Sequence, residues 1–359
     1  MACRFFCKPN IRCFKINMAI VILLVALIFV SNYDFLHHEW KTRQTGKRKI
    51  TDTITPCIRN ITVRGSPLKR GNYIKRLHFD PNENKVIVFL HIQKTGGSTF
   101  DWRLVRTLNV TPKCKCKLKA KSCRCLNNKG NVWLYSGRFS TGWVCGVHAD
   151  WTELTECIDV YFDKRDKLHR NRSYLYMTML REPIQRYMSE WKHVQRGATW
   201  EKQPKCNHRK VTAKQLPMCF NTSWRHVPLD DFINCPHNLA INRQTRMLAN
   251  LSLVDCYNTS TISKPERERI MLESAKNNLK DMAYFGLTEF QEQNQRLFEF
   301  KFAVNFTDYF SQKETSNAQM ATNKISPAQF ERIKQLNHLD IELYKYAKKL
   351  YFERIENIT

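Results

Sequence analysis

The chain has 359 residues, enough for one large domain or two ordinary ones with an ample hydrophobic core. Its 59 lysines and arginines outnumber its 32 aspartates and glutamates by 27, an excess that argues against a merely basic, well-solvated surface. Such a charge predicts a polyanionic partner: nucleic acid, an anionic membrane surface or an acidic polysaccharide.

The N-terminal part of the chain has the pattern of a membrane anchor followed by a spacer. The apolar run INMAIVILLVALIFV follows four basic residues and no acidic one, so the positive-inside rule places the N-terminus in the cytosol. We predict a cytoplasmic tail at 1–15, a single-pass transmembrane signal anchor at 16–32, a polar lumenal stem at 33–82 and a globular domain at 83–359. The alternative is a cleaved signal peptide, which is disfavoured because no clear small-x-small cleavage site follows the run.

Glycosylation sequons agree with a lumenal location for most of the chain. Eight Asn-x-Ser/Thr sites follow the anchor, at Asn60, Asn109, Asn171, Asn221, Asn250, Asn258, Asn305 and Asn357. In that compartment we predict no nucleic-acid partner, and an acidic polysaccharide becomes the favoured one. The sequence leaves the oligomeric state open.

Eleven of the 14 cysteines also follow the anchor. The segment CKCKLKAKSCRC at 114–125 carries four of them as two C-x-C pairs, a pattern that suits zinc as well as disulfides. An oxidising lumen favours disulfides. Five bridges would use ten of the eleven and leave Cys57, in the stem, unpaired. The sequence does not determine which cysteines pair.

From residue 85 onward the sequence predicts strands alternating with helices. Strands are predicted at 85–92, 173–182 and 282–289, and helices at 98–108, 184–197, 265–280, 290–302 and 336–355. In the last helix, Leu339, Leu343, Ala347 and Leu350 recur at helical spacing and predict a core-facing stripe. The alternation predicts an α/β fold with a central parallel sheet flanked by helices.

The segment HIQKTGGST, which follows the first predicted strand, has the composition of a phosphate-binding loop. Gly96 and Gly97 would let a phosphate approach the backbone amides at a helix start, and Ser98 and Thr99 would add hydroxyl donors. Lys94 precedes the glycines, whereas the nucleoside-triphosphatase pattern GxxxxGK[ST] places its lysine after them, which argues against a nucleotide kinase. The alternative is an ordinary tight turn between strand and helix.

A second motif, LREPIQRYMSEW, follows the second predicted strand. Arg181 ends that strand and Ser189 lies eight residues on, within a predicted helix. A guanidinium fork matches phosphate oxygens, so the pair suits a second phosphate, although Arg181 also fits a capping or ion-pairing role. Because ligands of parallel α/β sheets bind beyond the carboxyl ends of the strands, we expect both motifs to face one site.

Several blocks of the chain strongly resemble the heparan sulfate 6-O-sulfotransferases. They include FLHIQKTGGSTF, RFSTGWVCGVHADWTEL, LREPIQRYMSEWKHVQRGATW, CPHNLAINRQTRML and MLESAKNNLKDMAYFGLTEFQ, and the resemblance covers about residues 83–355. It implies a P-loop-like sulfotransferase fold and makes 83–359 a catalytic domain. It also implies a type II Golgi membrane enzyme that transfers the sulfuryl group of 3′-phosphoadenosine 5′-phosphosulfate to the 6-hydroxyl of glucosamine in heparan sulfate.

The resemblance also implies roles for individual residues. His148 would be the general base for in-line attack, and Lys94 would stabilise the leaving phosphate. The residues implied to bind the sulfate donor are His91, Ile92, Gln93, Lys94, Thr95, Gly96, Gly97, Ser98, Thr99, Arg181, Ser189, Gln312 and Ala318. The residues implied to bind the polysaccharide are Lys121, Arg138, Trp143, His148, His193 and Trp200. No metal is expected, because lysine, arginine and backbone dipoles can carry the developing charge.

The chemistry of these residue types supports the same roles independently. A sugar hydroxyl is a weak nucleophile and needs a base of near-neutral pKa, which is the range of histidine. Without the resemblance, His148 would be read as a core histidine. One departure from the family lies at 311–320, SQKETSNAQM, where the family has a Tyr and a downstream Thr-Arg-Ala that contact the nucleotide. Lys313 and Asn317 stand at the corresponding positions, while Gln312 and Ala318 still match. The alternatives are an inactive, membrane-anchored heparan-binding protein and a sulfotransferase that acts on another glycan position.

Overall fold

A computed structural model describes residues 76–117, 122–198, 204–220, 223–312, 320, 322 and 325–358 of the chain. These residues form ten strands: β1 (Lys85–Leu90), β2 (Leu108–Asn109), β3 (Lys115–Cys116), β4 (Cys123–Arg124), β5 (Leu134–Ser136), β6 (Ser173–Leu180), β7 (Lys205–Cys206), β8 (Arg209–Lys210), β9 (Tyr284–Leu287) and β10 (Asn305–Phe306). The four strands β5, β1, β6 and β9 form one sheet in that order. The other six pair as short antiparallel ribbons, β2 with β10, β3 with β4 and β7 with β8.

Nine α-helices and one short 3₁₀ helix (Leu251–Val254) accompany the strands in the described ranges. The α-helices are α1 (Gly97–Arg106), α2 (Trp151–Asp166), α3 (Pro183–Gln195), α4 (Leu229–Asn234), α5 (Arg243–Leu248), α6 (Lys264–Asp281), α7 (Gln291–Phe302), α8 (Pro327–Leu336) and α9 (His338–Glu356). The predicted α/β fold with a helix-flanked parallel sheet is confirmed. The predicted anchor at 16–32 lies outside the described residues, and no helix within them is long and apolar enough to cross a membrane.

The central sheet is parallel throughout, and its strands are buried on both faces. In β1, Val86 to Leu90 are all buried, as are seven of the eight residues of β6, which explains their nearly continuous apolar sequences. β1 pairs with β6 from Lys85 opposite Ser173 to Leu90 opposite Thr178. The chain passes from β1 to β5 on one side and then to β6 on the other, so β1 and β6 flank the topological switch point where such sheets bind ligands.

The three sheet strands predicted from the sequence are present, but each ends two residues earlier than predicted. The residues that fall outside are His91-Ile92, Arg181-Glu182 and Thr288-Glu289. They begin the loops at the carboxyl edge of the sheet, where backbone groups leave the ladder and contact neighbouring loops. The strand β5 and the helix α2 are absent from the prediction.

The C-terminal helix α9 packs as the spacing predicts, with one correction. Leu339, Leu343 and Ala347 are buried, but Leu350 is only partly buried. Tyr351 is fully buried instead, and its hydroxyl donates to Asn294 Oδ1 at 2.9 Å. The stripe therefore shifts by one residue toward the end of the helix.

Five disulfides join ten cysteines, as predicted: Cys114–Cys125, Cys116–Cys123, Cys145–Cys157, Cys206–Cys256 and Cys219–Cys235. The first two bridge the two C-x-C pairs across the β3–β4 ribbon, so the zinc interpretation of that segment is wrong. Cys57 lies outside the described residues.

A buried charge network lies behind the sheet edge, between α3, α5 and α9. Glu190 accepts two hydrogen bonds from Arg243, at 2.9 Å and 2.5 Å, and one from Arg186. Asp340 accepts from the backbone amide of Thr245 at 2.7 Å. Burial alone would raise the pKa of Glu190, but the charges of Arg243 and Arg186 lower it to about 2. The carboxylate is therefore the shared counter-charge of two buried guanidinium groups.

Glu190→Gln should lower the free energy of unfolding by about 3–5 kcal/mol, because two buried guanidinium groups lose their counter-charge. Urea unfolding followed by tryptophan fluorescence measures the effect. The matched control is Glu266→Gln, which breaks the exposed Glu266–Arg269 pair and should leave the midpoint nearly unchanged. Equal midpoints for the two variants would contradict the role given to Glu190.

Candidate active site

The loop after β1 is folded as a tight anion cradle. Lys94 and Gly96 have positive φ angles of 68° and 75°, and Gly96 is the N-cap of α1. A Cβ atom on Gly97 would lie 2.6 Å from Cδ2 of His91, so only glycine fits there. The loop closes on itself through a hydrogen bond from Thr95 Oγ1 to the carbonyl oxygen of Ile92, at 3.0 Å. The first amides of α1 have no side-chain cap, and such a helix start is suited to an anion.

The loop after β6 lies directly beside this cradle. Arg181 Nη1 donates to the carbonyl oxygen of Lys94 at 3.3 Å, which joins the two motifs. Glu182 caps α3 by accepting from the amides of Ile184 and Gln185. Further along this segment, Gln185, Ser189 and His193 follow Arg181 at steps of four residues, and all four side chains line one cavity. The two motifs therefore face a single site, as the strand order predicts.

The cavity between these loops has a volume of about 870 Å³. The predicted site residues that line it are His91, Gln93, Lys94, Gly96, Gly97, Ser98, Thr99, Arg138, His148, Arg181, Ser189, His193 and Gln312. Ile92 and Thr95 are fully buried and support the loop from behind, and Trp143 packs against His91 and His148. The predicted contacts Lys121, Trp200 and Ala318 lie outside the described residues.

His148 is held with a defined tautomer at the cavity wall. Its Nδ1 lies 3.2 Å from the carbonyl oxygen of His91, which can only accept, so Nδ1 carries the proton in the neutral ring and Nε2 is the basic atom. Burial lowers the pKa of His148 to about 4, against the hydrogen bond to the His91 carbonyl, which raises it. The imidazole is therefore neutral near pH 7 and able to accept a proton.

The loop that carries His148 starts at the end of β5, where it is tied to α1, the helix that follows the glycine loop. Ser136 Oγ donates to the buried carboxyl of Asp101, on α1, with both carboxyl oxygens 2.5 Å away. Burial raises the pKa of Asp101 to about 7, although the Ser136 hydrogen bond opposes this. A Cβ on Gly137 would lie 2.1 Å from the ring of Trp143, so this indole packs onto bare backbone. These contacts fix Trp143 and His148 relative to the helix of the glycine loop.

Cations dominate the electrostatics of the cavity. Burial, followed by the charge of Arg196, lowers the pKa of Lys94, while Glu190 opposes the shift. Burial also lowers the pKa of Arg181. Both shifts indicate cations whose charged forms would be stabilised by an anion in the cavity.

Several lining residues are absent from the sequence prediction, and four of them, Thr288, Glu289, Gln291 and Ser311, follow the third strand. Thr288 Oγ1 lies 2.6 Å from the carbonyl oxygen of Thr95 and 2.9 Å from that of Leu180, so it joins all three loops. When the oxygen and nitrogen of its side-chain amide are exchanged, which satisfies both atoms, Gln312 donates to the carbonyl oxygens of Thr288 and Glu289. The sequence does contain a signal for the residues after this strand. FGLTE ends a predicted parallel strand, and the carboxyl ends of parallel strands meet at the edge of the sheet where ligands bind. The other lining residues missed include Arg103 and Gln185.

Three buried polar atoms at the cavity are suited to a polar ligand. Nδ1 of His91, Oε1 of Gln93 and Oε1 of Gln185 have no hydrogen-bond partner among the described residues, and all three side chains line the cavity. Within the same residues, no group of three or more His, Cys, Asp or Glu side chains is placed to hold a metal ion. The expectation of a metal-free site stays a prediction.

The fold and the cavity define an α/β protein with a cation-lined pocket at the switch point of its parallel sheet. A model of the sulfotransferase family matches residues 77–347. The heparan-sulfate 6-O-sulfotransferase 3-B of Danio rerio is 52% identical over 281 residues, which cover 77% of this chain and 66% of that protein. Heparan-sulfate 6-O-sulfotransferase 2 of Mus musculus is 49% identical over 292 residues, 80% of this chain and 47% of that protein.

The corresponding enzyme 2 of Gallus gallus is 47% identical over 291 residues, which cover 80% of this chain and 72% of that protein. The chain therefore belongs to the sulfotransferase family and, within it, to the heparan-sulfate 6-O-sulfotransferases. The match spans only about half to two thirds of the length of the Mus musculus and Danio rerio relatives.

Proposed function

We propose that this protein transfers the sulfuryl group of 3′-phosphoadenosine 5′-phosphosulfate to the 6-hydroxyl of glucosamine residues in heparan sulfate. The observation that carries the proposal is the meeting of the glycine loop, Arg181 and His148 in one cavity of about 870 Å³. Family membership supports the reaction type, because the relatives are named as heparan-sulfate 6-O-sulfotransferases. The net charge of +27 supports an acidic polymer as acceptor.

The cavity fits the sulfate donor in size and in chemistry. Its volume lies within the range of about 300–1,000 Å³ that is typical of small-molecule sites. We infer that residues 91–99 hold the 5′-phosphosulfate, that Arg181 and Ser189 hold the 3′-phosphate, and that Gln312 and Ala318 contact the nucleotide. When bound, the donor supplies the sulfuryl group and a bisphosphate leaving group.

On the acceptor side, we assign His148 as the general base. Its Nε2 would take the proton of the attacking hydroxyl, and its lowered pKa keeps the ring neutral for that step. Lys94 would stabilise the negative charge that develops on the leaving phosphate, since a cation in a partly desolvated site acts strongly on such charge. We further assign Arg138, Trp143 and His193, together with Lys121 and Trp200, to the polysaccharide.

His148→Ala should abolish sulfuryl transfer while leaving donor binding nearly intact, because the imidazole lies on the acceptor side of the cavity. The lumenal part of the chain is incubated with labelled donor and desulfated heparan sulfate, and the products are analysed as disaccharides. Label in 6-O-sulfated glucosamine is expected for the unchanged protein. Donor affinity of the variant is measured by calorimetry with adenosine 3′,5′-bisphosphate.

The same assay separates the competing functions. Label at another position would make the protein a sulfotransferase of different specificity, and polymer binding without any transfer would make it an inactive heparan-binding protein. An active His148→Ala variant would remove the imidazole from the role of base.

Lys94→Ala should lower kcat by about 100-fold or more, in line with the loss of one donor to the transition state. Single-turnover assays at saturating donor measure the change. The control is Lys192→Ala. Lys192 lies on the same helix as Ser189, packs over Trp191 and does not line the cavity. A Lys94 variant as active as the Lys192 variant would contradict the electrostatic role.

We also propose that residues 16–32 anchor the protein in the Golgi membrane, as a single-pass type II protein with the catalytic domain in the lumen. Five disulfides support an oxidising compartment. In sealed Golgi vesicles, a C-terminal epitope on the full chain should resist added protease until detergent is present. Recovery of a secreted product that begins just after residue 32 would instead support the cleaved signal peptide.

A further inference from the structure

A short basic hairpin outside the cavity has no assigned role. It consists of β7, β8 and the Asn207-His208 turn between them, and we refer to it as the basic hairpin (205–210). The sequence around it holds no aspartate or glutamate from Lys202 to Leu229, while that stretch contains six lysines and arginines. In the hairpin itself, Lys205, Arg209 and Lys210 are exposed; within the described residues none of the three forms a salt bridge, and Glu153 is a carboxylate that interacts electrostatically with Lys205.

The pairing within the hairpin brings like charges together. Lys205 lies directly opposite Lys210 in the antiparallel register, and directly opposite side chains share one face of a ribbon. Like charges in such a pair destabilise it, so the arrangement costs free energy in the absence of an anion. An anionic ligand on this face would remove the repulsion.

The rest of the molecule holds the hairpin rigid despite this repulsion. The turn residues Asn207 and His208 have positive φ angles, as a two-residue hairpin turn requires, and their amides donate to the Glu156 carboxylate at 3.1 Å and 3.0 Å. Cys206 is buried and bridged to Cys256. The charges are therefore presented on a preformed surface rather than on a mobile loop.

The hairpin also lies beside the loop that carries His148. Glu153, in the first turn of α2, accepts from the backbone amide of Lys205 at 2.6 Å. The same carboxylate would lie 3.3 Å from a Cβ placed on Gly146, two residues before His148. The Glu153 side chain thus contacts both the basic hairpin and the loop that carries His148.

We propose that the basic hairpin is a second contact for the acidic polysaccharide, outside the cavity, which binds the acceptor chain several sugars away from the reacting glucosamine. This rests on the proposed function, because the acceptor must be a long polyanion that continues beyond the cavity mouth. The hairpin then favours long acceptors over short ones and adds to affinity without touching the reacting atoms.

The test compares a hairpin variant, Lys205→Gln with Arg209→Gln and Lys210→Gln, with a control that removes three exposed charges from α9, Lys345→Gln with Lys348→Gln and Lys349→Gln. For polymeric acceptor, the hairpin variant should show a KM raised by about 10-fold, corresponding to about 1.4 kcal/mol, and an unchanged kcat. For a tetrasaccharide acceptor, both constants should match those of the unchanged protein. The slope of log Kd for heparin against log salt should fall by about 2, for three lost contacts.

Equal polymer KM values for the hairpin variant and the α9 control would overturn the proposal, as would an equal loss on both acceptor lengths. If the hairpin variant loses binding to phosphatidylserine vesicles but not to heparin, the proposal is also overturned, in favour of a membrane contact. If the unchanged protein transfers no sulfate but the hairpin variant still binds heparin more weakly than the control, the proposed function fails and the hairpin contact stands.

A single charge reversal provides a measurement that does not depend on catalysis. Lys210→Glu turns the cross-strand repulsion into an attraction, so the melting temperature should rise or stay unchanged while heparin affinity falls. A variant that loses stability and affinity together would assign the lysines a structural role and overturn the proposal.

Discussion

The parallel pairing of β1 with β6, from Lys85 opposite Ser173 to Leu90 opposite Thr178, ends both strands at one edge of the sheet. The glycine loop and Arg181 are both positioned from that edge. Thr178 Oγ1 donates to the carbonyl oxygen of Leu90 at 2.8 Å, and Arg181 Nη1 reaches the carbonyl of Lys94 just beyond. A slip of the register would separate the glycine loop from Arg181, so the ladder itself sets the distance between the two phosphate subsites that we infer.

The charge distribution behind this edge supports the proposal that the cavity binds an anion. Burial lowers the pKa values of Lys94, His148 and His193, and Glu190 is a carboxylate that opposes this shift at all three, but it is already bonded to Arg186 and Arg243. Its charge is largely balanced by these two buried guanidinium groups. The proposed anionic ligand would add to the counter-charge that the protein itself supplies to the cations facing the cavity.

The sequence predicts the parts of this structure that depend on local pattern. Continuous apolar runs mark β1 and β6 because both faces of these strands are covered, and Pro265 in the first turn of α6 marks that helix start. The strand β5 has only three residues and carries too short a pattern to recognise. The helix α2 was missed, although Asp150 and Glu153 form a capping box that signals its start.

Local sequence pattern does not predict the part of the site that contains His148. The contact that sets the tautomer of His148 joins residues 57 apart, and the Asp101–Ser136 hydrogen bond joins residues 35 apart. Only the resemblance to known sequences identified His148 in advance, because a buried histidine in a stretch rich in tryptophan and glycine has no periodicity to read.

The irregular loop that carries His148 is held in place by a disulfide and by polar contacts. The segment that follows Ser136, from Gly137 to Asp150, has no ladder to stiffen it, so other contacts must restrict its backbone. The Cys145–Cys157 bridge ties it to α2, and Asp101 ties it to α1. The carboxylate of Glu153 contacts both this loop and the basic hairpin (205–210). In the proposed arrangement, the base and the polymer contact share one support, so that affinity gained at the hairpin keeps the acceptor near His148 and lowers KM without changing kcat.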